Sequence, residues 1–199
     1  MLDIAAETAT DYRPAIVICA YDADEAGWDP VEDLSGRAWS PQGARTVAVA
    51  GGEPDALART LVAHLEDRHC RALLLVGRTR RSSAFRLQLR AESRSLDGVR
   101  RLKGVGPSIA RATAPVADIV RALNEAGLTV DTSSDAEDDA GSYLLYRVLS
   151  GLPEGLDTPA VGLLRAPERE SDEDVQRAVK AAAEAMVRHM SPLSRSRAS

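Results

Sequence analysis

At 199 residues with 44% hydrophobic side chains, the chain has the size of one domain and enough apolar material for a core of its own. Its 25 Lys and Arg against 30 Asp and Glu leave a formal net charge of -5, which excludes a globally basic nucleic-acid binder, and 28% charged residues do not make a disordered chain. Only 4% of residues are aromatic, so the core must be built from Ala, Val and Leu, as in stacked helices and parallel strands. The cysteines, Cys19 and Cys70, are too few for a disulfide scaffold and point to a reduced, cytoplasmic setting. The N-terminus has no basic region followed by an apolar run, and no stretch is long enough to span a bilayer, so no membrane association is expected.

Residues 1–13 are polar and aperiodic and 191–199 are Ser/Arg-rich; both are expected to be flexible ends around a single α/β domain at 14–190. Within it, runs of consecutive apolar residues at 15–20, 45–50, 72–76, 128–130 and 160–164 predict buried parallel strands. A helix is expected from Pro54, where Leu57, Leu61 and Leu65 fall four apart, and another from Pro115 through Ile119, Val120 and Leu123 to Gly127 as its C′ residue. A third follows Gly141, with Leu145, Val148 and Leu149 on one side. The last starts at a Ser171 cap with Asp172, Glu173 and Asp174 complementing the macrodipole, and continues past Met186. Strands alternating with helices predict a three-layer α/β/α fold with a mostly parallel, twisted sheet. Ligands bind beyond the carboxyl ends of such strands, so the loops near 20–30, 77–85, 131–140 and 165–170 are expected at one edge.

Three stretches carry a family pattern: 106–120 with Ala114-Pro115-Val116, 123–130 from Leu123 through Ala126-Gly127, and Ala140-Gly141-Ser142-Tyr143. They resemble the pyroglutamyl peptidase I (pyrrolidone-carboxylate peptidase) family, in which a "TLPV…IV..L..AG" helix leads to an "S..AG.Y.CN" helix start. Further matches are residues 17–21 to the opening strand, Asp29-Pro30 to an Asn-Pro, Gly77 and Ala91 to "G.AGGR…ERVA.N", and 162–167 to "GFIHVP". The resemblance covers about residues 15–190 and implies a phosphorylase/hydrolase-like fold.

The family's chemistry is a Cys, His and Glu triad that hydrolyses the amide after an N-terminal pyroglutamate. The resemblance puts Leu145 at the Cys position, Arg165 at the His position and Gln88 at the Glu position, although a short gap would put Phe85 there instead. Leu145 has no lone pair and Arg165 cannot serve as a base at neutral pH, so thiol peptidase chemistry is not expected. The lactam-binding phenylalanines are replaced as well: Tyr21 stands at the first position, Asp24 is near the second, and the arginine of "GGR" aligns with Ser82, beside Arg80 and Arg81. The resemblance thus implies substrate-side positions at Tyr21, Arg80, Arg81, Ser142 and Arg165.

Other constellations are weaker. Ser133, Ser134 and Ser142 lie near the active edge, but His64, His69 and His189 are outside it, so the serines read as caps of the helix at Gly141 and the histidines as surface residues. His69-Cys70 has no second pair at metal-ligand spacing, Cys19 reads as core, and Gly51-Gly52 and the glycines at 104 and 106 lack a phosphate-loop spacing, so no metal or cofactor is expected. A basic run extends from Arg78 to Lys103 through Arg80, Arg81, Arg86, Arg90, Arg94, Arg100 and Arg101. Asp131, Asp135, Glu137, Asp138 and Asp139 form an acidic loop. Without interleaved aromatic platforms, pairing of the two segments within the fold or across a homo-oligomer is favoured over nucleic-acid binding. The leading expectation is a catalytically inactive homologue with a binding or assembly role, taking a small-molecule or peptide ligand and forming a homo-oligomer, as the family commonly does. The alternatives are a peptidase or amidase using altered chemistry and an anion or nucleic-acid binder acting through the basic run.

Overall fold

Runs of Ile, Val and Leu on consecutive positions must be covered on both faces. The computed structural model, which describes residues 11–22, 39–96, 106–152 and 158–190, places them at the centre of a six-stranded sheet. In chain order the elements are β1 (Ala15–Ala20), β2 (Arg45–Val49), α1 (Pro54–Glu66), β3 (Cys70–Thr79), β4 (Phe85–Gln88), β5 (Arg90–Glu92), β6 (Ile109–Arg111), α2 (Val116–Glu125), β7 (Val130–Ser133), α3 (Ala140–Ser150), β8 (Ala160–Pro167) and α4 (Asp172–Arg188). The sheet order is β2-β1-β3-β8-β4-β7. β1, β2, β3 and β8 are mutually parallel, while β4 lies antiparallel to β8 and carries β7 parallel to itself.

Strand alternation divides the core. Ile16, Ile18, Leu74, Val76, Leu87 and Leu164 pack against Ile119 and Leu123 of α2 and Val179 and Ala182 of α4. On the other face Val17, Cys19, Leu73, Leu75 and Leu163 meet Leu57 and Leu61 of α1 and Leu144, Leu145 and Val148 of α3. This is the three-layer arrangement that the apolar runs imply. A small antiparallel ribbon of β5 and β6 adds Ala91 and Ala110 to the second core, which is why α3 is buried on more than one side.

The helix ends follow the sequence signals closely. Pro54 opens α1 behind Glu53, whose carboxylate accepts from the N–H groups of Asp55 and Ala56. Ser171 Oγ accepts the N–H of Asp174 at the start of α4. At the end of α2, Gly127 adopts φ 77°, and the N–H groups of Gly127 and Leu128 return to the carbonyls of Asn124 and Leu123.

That last cap explains one difference from the sequence reading. Leu128 belongs to the helix terminus and buries itself beside α2, so the strand expected at 128–130 begins only at Val130 and runs to Ser133. Two further corrections bear on the site. β8 continues through Arg165 to Pro167, placing Arg165 within a strand and not in the loop expected at 165–170. β7 runs against β8, so the loop after it leaves from the opposite end of the sheet from the loops after β1, β3 and β8. It nevertheless returns to the expected edge, where Glu137 meets Thr79 at the end of β3. No helix among the described residues is long and apolar enough to cross a membrane.

Candidate functional site

Beyond the last apolar layer on the α1/α3 side, the pleat presents polar residues in place of leucines. Gly77 and Thr79 follow Leu73 and Leu75 on β3, Arg165 follows Leu163 on β8, and Tyr21 follows Cys19 after β1. Gln88 of β4 is in register with Leu163 and joins the same face. Phe85 packs into the opposite core, so Gln88 and not Phe85 hydrogen-bonds Arg165, whose register partner on β4 is Arg86.

Arg165 is the centre of this layer and is 0% exposed. Its Nη2 donates to Asp139 Oδ1 at 2.9 Å, to Ser142 Oγ at 2.9 Å and to Gln88 Oε1 at 3.1 Å. Nη1 donates to the Tyr21 hydroxyl at 3.0 Å and to Asp139 Oδ2, completing a bidentate ion pair. Nε donates to Gln88 Oε1 at 3.3 Å and lies 3.7 Å from Glu137 Oε1. Burial disfavours the guanidinium charge, but the Tyr21 oxygen and the Asp139 and Glu137 carboxylates outweigh it and raise the pKa above the ordinary arginine value.

The surrounding groups are equally committed. Asp139 is the N-cap of α3, accepting the Ser142 N–H at 2.9 Å; it takes the capping role the sequence reading gave to the serines, because its carboxylate serves the helix terminus and Arg165 together. Burial would raise its pKa, but the hydrogen bonds and charge of Arg165 with the Ser142 N–H hold it below the usual carboxylate value. The Ser142 hydroxyl donates to Gln88 Oε1 at 3.1 Å and accepts the Glu137 N–H at 3.0 Å. Thr79 Oγ1 donates to the Glu137 carboxylate at 3.0 Å. Tyr21 lies over Gly77 and Gly141: a Cβ at Gly77 would come within 2.1 Å of its ring and one at Gly141 within 2.4 Å of its hydroxyl. Burial, together with the nearby Asp139, Asp22 and Glu137, pushes the Tyr21 phenol upward against the opposing charge of Arg165.

Of the family positions, Gln88 and Arg165 touch, whereas Leu145 is 0% exposed in the apolar core between α3 and the sheet. A leucine so buried contributes about 1.5–3 kcal/mol, making this position one of packing. Tyr21 and Ser142 join Arg165, but Arg80 and Arg81 line an adjoining cavity beyond β3 and β8 that shares Thr79 with the cluster. Asp24 and the Asp29-Pro30 pair lie outside the described residues, as do Arg100, Arg101 and Lys103.

Neither cysteine is poised as a nucleophile: burial pushes the Cys19 thiol up to about 12 and Cys70 up to about 11. His69 pairs with Asp67 at 3.0 Å before β3, at the end of that strand remote from Thr79, and His189 pairs with Asp118 beyond α4. Among the described residues no group of three or more His, Cys, Asp or Glu could hold a metal ion. Among the described residues, several arginines of the basic run are engaged within the chain. Arg78 binds loop carbonyls and Asp172, Arg90 Nε donates to the Ser134 carbonyl, and Arg94 pairs with Glu92 and Asp138. Its charge is thus met in part by the acidic loop of the same chain. Sequence reasoning missed Asp139, Glu137 and Thr79 as members of the cluster. Asp138-Asp139 immediately before Ala140 is a cap signal that could have identified the first; nothing local marks Thr79.

No protein-family model matches the sequence, and no curated protein matches it. Solved structures do match. The pyrrolidone carboxyl peptidase of Thermus thermophilus superposes with a TM-score of 0.60 at 21% identity, covering 85% of this chain and 98% of that one. Pyroglutamyl peptidase I of Bacillus amyloliquefaciens gives 0.70 at 16% identity, covering 88% and 98%. The pyrrolidone carboxyl peptidase of Thermococcus litoralis gives 0.65 at 14% identity, covering 88% and 94%. The chain has the pyrrolidone carboxyl peptidase fold over most of its length.

Proposed function

We propose that this chain is a catalytically inactive homologue of pyroglutamyl peptidase I that has a binding or assembly role, in which the former reaction centre has become a structural polar cluster. The observation that carries the reading is the state of Arg165. At the position where the resemblance implies a general base, a permanently charged group is fully buried and paired with Asp139, Gln88, Tyr21 and Ser142. Thiol chemistry needs a thiolate near a base; Leu145 supplies none, and both cysteines are buried with raised pKa values.

A peptidase or amidase working through Ser142 would need a base at its hydroxyl. That hydroxyl donates to the neutral amide oxygen of Gln88 and accepts from Arg165 and the Glu137 N–H, which makes it a spacer in the cluster. Turnover of a chromogenic pyroglutamyl amide tests the proposal. No hydrolysis above the uncatalysed rate is expected from the wild type. Hydrolysis that is abolished by Arg165→Ala and indifferent to thiol reagents would overturn it and indicate a new mechanism at this position.

A further inference from the structure

Two loops leave the carboxyl ends of the neighbouring parallel strands β3 and β8, and between them lies a cavity of about 560 Å³ lined by residues 79–83 and 167–170. Small-molecule sites have volumes of about 300–1,000 Å³, and crevices beyond carboxyl strand ends are where α/β sheets place them.

Both walls are held from behind. Arg78 Nη1 donates to the carbonyls of Pro167, Glu168 and Glu170 at 3.3, 3.2 and 2.9 Å, and its Nη2 to Asp172 Oδ1 at 2.7 Å, fixing the loop after β8. The loop after β3 is fixed by Thr79 Oγ1, which accepts the Arg81 N–H at 3.1 Å, and by Ser82 Oγ, which accepts the Ala84 N–H at 3.1 Å. An ion pair from Arg80 Nε to Glu168 Oε1, 2.6 Å, joins the two loops. A cavity with walls set in advance loses little entropy on binding.

The charge balance selects the ligand. Arg80 and Glu168 neutralise one another, while Glu170, whose Oε1 accepts the Ser171 N–H at 3.3 Å, stays anionic, so Arg80, Arg81 and Arg169 against Glu168 and Glu170 leave the lining one net positive charge. Arg81 and Arg169 remain, and among the described residues neither has an ion-pair or side-chain hydrogen-bond partner. Ser82 accepts through its oxygen and retains its O–H to donate. Among the described residues no aromatic ring lines the space.

We propose that this cavity binds a small oxyanion ligand, a molecule bearing a phosphoryl or carboxylate group, held by Arg81 and Arg169 with Ser82 as a further donor. The assignment is independent of whether the Arg165 cluster is inert. Calorimetric titration of the full chain with inorganic pyrophosphate, inorganic phosphate and succinate tests it, and the preferred probe distinguishes a phosphoryl from a carboxylate ligand. Saturable binding of at least one probe is expected. Arg81→Gln and Arg169→Gln should each weaken it by about tenfold or more, while Arg59→Gln, on the exposed side of α1, leaves it unchanged. The altered arginines are exposed, and circular dichroism verifies that the variants are folded. No saturable binding of any probe at millimolar concentration, or equal binding by the cavity variants and the wild type, would overturn the proposal. So would an equal loss in Arg59→Gln, which would reduce the effect to net charge.

Discussion

Replacing Asp139 with Ala isolates what the buried cluster contributes. Removing one partner of a buried ion pair costs about 3–5 kcal/mol because the other charge is stranded. Arg165 is 0% exposed and would retain only neutral acceptors, the Tyr21, Gln88 and Ser142 oxygens, plus the Glu137 carboxylate at 3.7 Å. Glu137 can take up part of the charge, which places the loss near the lower end, about 3 kcal/mol. The lost N-cap of α3 adds about 1 kcal/mol. With a urea m-value of about 2 kcal/mol/M, the unfolding midpoint of Asp139→Ala should fall by about 2 M with the slope unchanged. Arg165→Met removes the charge itself and leaves Asp139, whose side chain is 30% exposed, able to hydrate; it should cost less, about 1–3 kcal/mol. The double variant should then be more stable than Asp139→Ala alone. A loss below about 1 kcal/mol for Asp139→Ala, or effects that add to within about 0.5 kcal/mol, would refute the coupling.

Gly77→Ala would push a Cβ within 2.1 Å of the Tyr21 ring, so it should destabilise by about 1–3 kcal/mol in thermal unfolding, and by less in a Tyr21→Ala background. Because the folded-state pKa of Asp139 is lowered, its contribution is present above the unfolded value of about 3.9 and is lost as pH falls through the folded value. Denaturation measured across that range should therefore show wild type and Asp139→Asn converging below about pH 4 and separated at neutral pH. Cys19 and Cys70, raised to about 12 and about 11, should resist a thiol reagent in the folded protein at pH 8 and react fully once urea has unfolded it.

What the sequence revealed of the fold depended on burial. β1, β3 and β8 are covered on both faces, so their apolar residues are consecutive and stand out. β4, by contrast, reads Phe85-Arg86-Leu87-Gln88, with its apolar residues on one face and Arg86 and Gln88 on the other, and its antiparallel placement comes from long-range pairing with β8 that no local pattern encodes. Leu128 illustrates the limit at element ends, since the same apolar residue suits a strand start or a helix cap and only the Gly127 turn decides. At the site, the resemblance located Gln88 and Arg165, and the structure brings them into contact. Asp139 and Glu137 read only as members of an acidic loop expected to pair with the basic run; their role arises from the way that loop returns across the face of the sheet to a charge buried there.

As a sealed structural element, the proposed Arg165 cluster leaves no room for a ligand. Titrating the isotopically labelled chain with pyroglutamate while observing the Arg165 Nε–H resonance tests this most directly. The expected signal is protected from solvent exchange and does not move up to millimolar pyroglutamate. A saturable shift of that resonance, or its rapid exchange with water, would show the cluster to be open and return the buried arginine to the role of a binding group.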